Sequence, residues 1–120
     1  MGKDSLIQSK TKAFAIRIIK LYKYLTETQN EYVMSKQMLR AGTSIGANTR
    51  ESINAQSKLD FINKLNIALK ETDETQYWLE LLYETNFLTE KQFQSIYDDS
   101  KEIAALLVTI IKTTKKNLEK

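Results

Sequence analysis

Between Lys58 and Leu82 the chain reads KLDFINKLNIALKETDETQYWLELL. Within it Phe61, Leu65, Ala68, Thr72, Thr75, Leu79 and Leu82 recur at alternating intervals of four and three. A helix turns once in about 3.6 residues, so this spacing puts the whole series on one face. Ser57 and Asp60 stand where a helix needs acceptors for its free first-turn amides. Asn86 is the residue suited to a left-handed helix end. The spacing therefore predicts a long helix over about residues 58–85.

The flanking segments repeat the pattern. Phe14, Ile18, Leu21 and Leu25 form a stripe that Ile7 extends, with Ile16, Ile19 and Tyr22 widening it. Ser5 and Gln8 match a capping box, and the polar run Thr26 to Asn30 ends this helix, expected over about 5–28. A second helix, about 35–55 with a start as early as Glu31, carries Met34, Met38, Ala41, Ile45 and Ser52 on one side. It is crowded with small residues: Ala41, Gly42, Ser44, Gly46 and Ala47. Each glycine costs a helix about 1 kcal/mol relative to alanine, so two of them point to a closely approaching neighbour. Thr89 and Gln92 form another capping box, opening a fourth helix over about 89–115. Its line is Phe93, Ile96, Ser100, Ile103, Leu107 and Ile110.

Helices of roughly 22 to 28 residues span about 33–42 Å. Similar lengths with short links predict an all-α, antiparallel up-down-up-down four-helix bundle, with residues 1–120 as one domain. Composition agrees. Hydrophobic residues make up 42% and charged residues 28%, which argues against disorder, and there is no proline to break a helix. No apolar run reaches membrane-spanning length; the longest, Ile103 to Ile111, is too short, so no membrane partner is expected. Lys10, Lys12 and Arg17 interrupt any signal-like segment, so a cytoplasmic location is the expectation.

Chemistry is hard to place. Cysteine and histidine are absent, which removes thiolate chemistry, the commonest general base and the commonest zinc ligand. There is no phosphate-binding glycine loop. Glu71 with Glu74, and Asp98 or Asp99 with Glu102, have the one-turn spacing of carboxylate ligands. Bundle metal sites also use histidine, so salt bridging is the better reading of these pairs. Neither catalytic residues nor a cofactor is expected.

Two polar patterns stand out. Arg40, Ser44, Asn48 and Glu51 line one edge of the second helix, as a hydrogen-bonded seam or, alternatively, a ligand contact. Residues 1–30 hold six basic and two acidic side chains, a net of +4, whereas residues 57–88 hold three and six, a net of −3. A solvated surface accounts for this most simply. The alternative is a phosphate-binding surface formed by Lys10, Lys12, Arg17, Lys20 and Lys23, with Lys112, Lys115 and Lys116 at the other terminus. The third helix also has more apolar surface than one core needs: YWLELLY, Tyr77 to Tyr83, leaves only Glu80 clearly polar, and Ile67, Trp78 and Leu81 form a separate flank. Such a face predicts burial between subunits.

The stretches RAGTSIGANTRES (Arg40 to Ser52) and Lys58 to Leu82 resemble the bacterial four-helix bundle family of 23S ribosomal RNA intervening-sequence proteins. Arg40, Ala41, Ser44, Ile45, Asn48 and Glu51 match its first element; Phe61, Ala68, Glu74, Thr75, Trp78, Leu79 and Glu80 match its second. Thr49 stands where isoleucine is usual, and Ser52 where glycine is frequent. The resemblance implies an up-and-down bundle that assembles as a homopentamer, with Arg40, Ser44, Asn48, Glu51, Glu74 and Trp78 as family motif and interface residues. It also implies kinship with the accessory variability determinant of diversity-generating retroelements, a basic pentamer that binds nucleic acid and a reverse transcriptase. The function expected is therefore a non-enzymatic oligomeric scaffold. The alternative is an accessory protein that binds RNA or DNA through its basic surface.

Overall fold

In a computed structural model that describes residues 3–118, the chain forms α1 (Lys3–Glu27), α2 (Met34–Ile53), α3 (Lys58–Glu84) and α4 (Glu90–Leu118). Cross-helix contacts give the direction of each pair. Lys10 meets Glu102 and Arg17 meets Asp99 between α1 and α4; Arg40 meets Glu71 and Glu51 meets Lys64 between α2 and α3. Gln76 reaches Ser100 and Tyr97 reaches Glu80 between α3 and α4, while Gly42 and Gly46 abut Ile18 and Thr11 across α1 and α2. In every pair, numbers rise on one helix as they fall on the other, so each neighbour is antiparallel. Helices pack on their neighbours in the chain, and α4 closes against α1. The result is an up-down-up-down bundle measuring 51 × 22 × 22 Å.

The core follows the heptad lines. Ile7, Phe14, Ile18 and Leu25 meet Met38, Ala41 and Ile45, then Leu65, Ala68, Leu79 and Leu82, then Ile96, Ile103, Leu107 and Ile110. Hydroxyl side chains fill several layers: Thr11, Thr49, Thr72, Thr75 and Ser100 are buried. Each donates to a carbonyl three or four residues back in its own helix, at 2.6 to 2.8 Å. This settles their polarity within the helix and leaves small side chains facing the neighbours. Among the described residues no buried side-chain nitrogen or oxygen lacks a partner.

Several local details differ from the expectation. Ile16 and Ile19 do not widen the buried stripe; they are 47% and 40% exposed on the outward side of α1. Phe61 is only half-buried, and Ile62 takes the core position beside it. The first helix is already formed at Lys3, ahead of Ser5, whose side chain lies outside the described residues. The fourth runs three residues past Lys115, because nothing in its sequence stops it.

Helix ends follow local chemistry. Ser57 Oγ accepts from the Asp60 amide at 3.0 Å. Thr89 and Gln92 exchange reciprocal bonds of 2.9 and 3.1 Å. Asn86, at φ 70°, lets the Phe87 amide reach Leu82 O and its own amide reach Tyr83 O, closing α3 with a Schellman turn. Asn30, at φ 56°, turns the chain after α1.

Candidate functional site

The polar edge of α2 faces α3. Arg40 spans two carboxylates there: Nη1 donates to Glu71 Oε2 at 3.2 Å, and Nη2 donates to Glu74 Oε2. The same Glu74 oxygen accepts from Trp78 Nε1 at 3.0 Å, one turn further along α3. Three turns from Arg40, Glu51 accepts from Lys64 Nζ at 2.9 Å, and this bond holds the Lys64 ammonium above its usual range. Ser44 and Asn48 turn back onto their own helix, donating to Arg40 O at 2.7 Å and Ser44 O at 2.9 Å. The four edge residues thus form the outer border of the α2–α3 contact, with Trp78 tied to one end.

The basic residues of α1 divide between different surroundings. Lys10 pairs with Glu102 at 3.2 Å, and Arg17 pairs with Asp99 at 2.6 Å, both against α4. Lys12, Lys20 and Lys23 are exposed and have no ion pair among the described residues. Lys112, Lys115 and Lys116 are exposed near the end of α4, where positive charge complements the helix dipole. Of the carboxylates considered as metal ligands, Glu71 and Glu74 hold Arg40, Asp99 holds Arg17 and Glu102 holds Lys10, while Asp98 accepts from Gln94 Nε2 at 2.7 Å.

The surplus apolar residues of α3 lie partly outside the core, with Trp78 packed against its edge. Tyr77 is 54% and Ile67 43% exposed, while Trp78 and Leu81 are half-buried. The Tyr77 and Trp78 rings meet edge to face at 5.3 Å. The α2–α3 seam therefore borders a partly aromatic surface, and the motif residues named from sequence lie along one side of the molecule.

Comparison with known proteins places the chain as a whole. The family described as 23S rRNA-intervening sequence protein matches residues 3–109. The chain belongs to this family. A solved relative from Bacteroides thetaiotaomicron, a protein with unknown function from the S23 ribosomal protein family, is 60% identical. The match covers 92% of this chain and 98% of that one, with a TM-score of 0.91. No curated protein matches. Neither the family nor the solved relative points to catalysis. No helix among the described residues of this 23S rRNA-intervening sequence family member is long and apolar enough to cross a membrane.

Three features of this family member were not singled out from its sequence. Glu31 caps α2 from the preceding turn, accepting from the amides of Val33, Met34 and Ser35 at 3.1, 3.0 and 2.6 Å. Burial pushes its carboxyl up, but the three amides outweigh that and hold it below the usual range. Glu31 four residues before Ser35 was the available signal, though glutamate is an uncommon cap. Tyr97 donates to Glu80 at 2.7 Å; that bond, burial and the nearby carboxylate charge push its phenol up to about 12. Finally, Lys91 and Tyr24 join Arg17 and Lys20 around a groove between α1 and α4, a grouping that exists only once those helices pack.

Proposed function

We propose that this protein acts without catalysis, as a homo-oligomeric scaffold that is pentameric, as the family resemblance implies, and cytoplasmic. The outward face of α3 carries the proposal. Tyr77, Leu81 and Ile67 exceed what one bundle core uses, and the Arg40–Glu74–Trp78 bonds hold the Trp78 ring at their border with the core. Apolar surface of this kind, rimmed by fixed charge, suits contact with another copy. The role follows from the same surface: a scaffold acts through what its assembled copies present, and needs no cofactor. Light scattering across a concentration series tests it. The expected mass is five times 13.9 kDa, falling toward a single chain in Tyr77→Lys. A mass of 13.9 kDa at every concentration would remove the oligomer.

A second reading, contact with RNA or DNA, rests on exposed Lys12, Lys20 and Lys23, which have no ion-pair partners among the described residues. Repeating that surface on several copies would make binding steeply salt-dependent. Filter binding of a structured RNA at two salt concentrations decides it. Affinity no better than about millimolar at low salt eliminates this reading.

A further inference from the structure

The groove between α1 and α4 has a composition unlike the rest of the surface. It is an open groove of about 530 Å³ whose lining includes Arg17, Lys20, Leu21, Tyr24, Lys91 and Ser95. That volume lies within the range of small-molecule sites. Three lining side chains are cations and none is an acid. Leu21 supplies apolar surface above the buried Ile96, and Tyr24 supplies an aromatic ring whose hydroxyl accepts from Gln29 Nε2 at 2.7 Å.

Arg17 is already positioned. Its Nη1 donates to Asp99 Oδ2 at 2.6 Å and Ser95 O at 3.3 Å, and its Nη2 donates to Ser95 Oγ at 2.9 Å. A guanidinium has five N–H donors, so Nε–H and one Nη2 hydrogen have no partner among the described residues. Asp99 offsets the Arg17 charge, while Lys20 and Lys91 are exposed and outside the ion pairs found among the described residues. The groove thus joins two uncompensated cations, an oriented guanidinium and an aromatic–aliphatic wall. Phosphate alone would engage only the cations, and an apolar ligand only the exposed part of Leu21 and Tyr24, whose inner parts pack on the core. A molecule carrying both a phosphate and a flat ring matches both halves.

We propose that the α1–α4 groove binds a nucleotide unit, its phosphate toward Lys20, Lys91 and Arg17 and its base against Tyr24 and Leu21. The site is complete within one chain and does not require assembly. It is also separate from general RNA binding through the outward lysines, because it recognises the base as well as the charge.

Amide chemical-shift titrations of the whole chain at low salt test the site, using adenosine monophosphate, ribose 5-phosphate and inorganic phosphate. Shifts are expected at Tyr24, Gln92 and Ser95, with the nucleotide binding about tenfold more tightly than ribose 5-phosphate through its ring contact. Lys20→Glu with Lys91→Glu should weaken it by about tenfold or more. A control of equal charge change, Lys36→Glu with Lys101→Glu, should not. Equal binding of the nucleotide and ribose 5-phosphate, equal losses in both double variants, or shifts mapping elsewhere would overturn the proposal. So would silence at the groove, as expected if another copy covers it. A short single-stranded oligonucleotide separates the sources: tighter groove binding than the monophosphate supports a nucleotide within a strand, and matching affinity supports a free one. Failure of the oligomer would appear in the measured mass, and failure of general RNA binding in the filter assay. Neither result alters these shifts.

Discussion

Gly42 and Ile18 approach so closely that no side chain fits between them. A β-carbon on Gly42 would lie 2.8 Å from both Cγ1 and Cγ2 of Ile18. Both atoms sit on the branched, stiff part of a fully buried side chain, so they have little freedom to withdraw. This contact explains a glycine in mid-helix and sets the α1–α2 spacing. Gly42→Ala should gain about 1 kcal/mol in helix propensity but lose about 1–3 kcal/mol to overpacking, for a net loss read as a lower urea midpoint. At Gly46 the nearest atom to an added β-carbon is the backbone oxygen of Thr11 at 3.3 Å, a tight contact but a looser one, so Gly46→Ala should cost less than Gly42→Ala. If both variants lost the same stability, the Ile18 contact would not be the cause.

Glu31 ties stability to acidity. Its carboxyl is held below the ordinary value of 4.5, so the fold favours the charged form. The resulting stability is fully present above that ordinary value and is lost as pH falls through the lowered one. Glu31→Gln should cost about 1 kcal/mol at neutral pH. Its urea midpoint should also fall less steeply than the parent's below pH 4.5. Parallel curves for the two proteins would refute the coupling.

Tyr97 has the opposite sign. Its phenol is raised from 10.0 to about 12, so the folded state favours the neutral form that donates to Glu80. The contribution is present below the ordinary value and disappears as pH rises toward the raised one. An absorbance titration should show a late tyrosinate step that Tyr97→Phe removes. That variant should also lose about 1.5 kcal/mol at neutral pH, the low end for a hydrogen bond to a charged acceptor, since the pair is partly solvated.

Trp78 is the only tryptophan, so its emission reports the α2–α3 seam directly. Glu74→Ala removes the acceptor of its indole and one partner of Arg40 together, and should shift emission to the red. Arg40→Ala leaves the indole bond in place, so emission should move less while stability drops by about 1 kcal/mol at low salt and less at high salt. Identical shifts in the two variants would mean that Glu74 does not position the ring.

Much of the bundle was readable because its signals are local. The line from Leu65 to Leu82 needs only the helical repeat to define a buried face. The caps at Ser57, Thr89 and Asn86 depend on atoms within a few residues. Reading failed where one helix cannot report on another. Ile16 and Ile19 are as apolar as their buried neighbours, and only the positions of α2 and α4 leave them outside. Glu31 was passed over because a turn had to bring its carboxylate over the amides of Val33 to Ser35.

The sequence by itself determined four helices, the caps at Ser57, Thr89 and Asn86, most of each core line and a family motif, because those rest on spacing along one backbone. Only the tertiary structure decided which charges find partners. Arg40 pairs with Glu71 and Glu74 across the seam, and Arg17 with Asp99, leaving Lys20 and Lys91 to face one groove. An ion pair or a groove depends on distances between helices. Side-chain volumes set those distances, above all where Gly42 lets Ile18 come close.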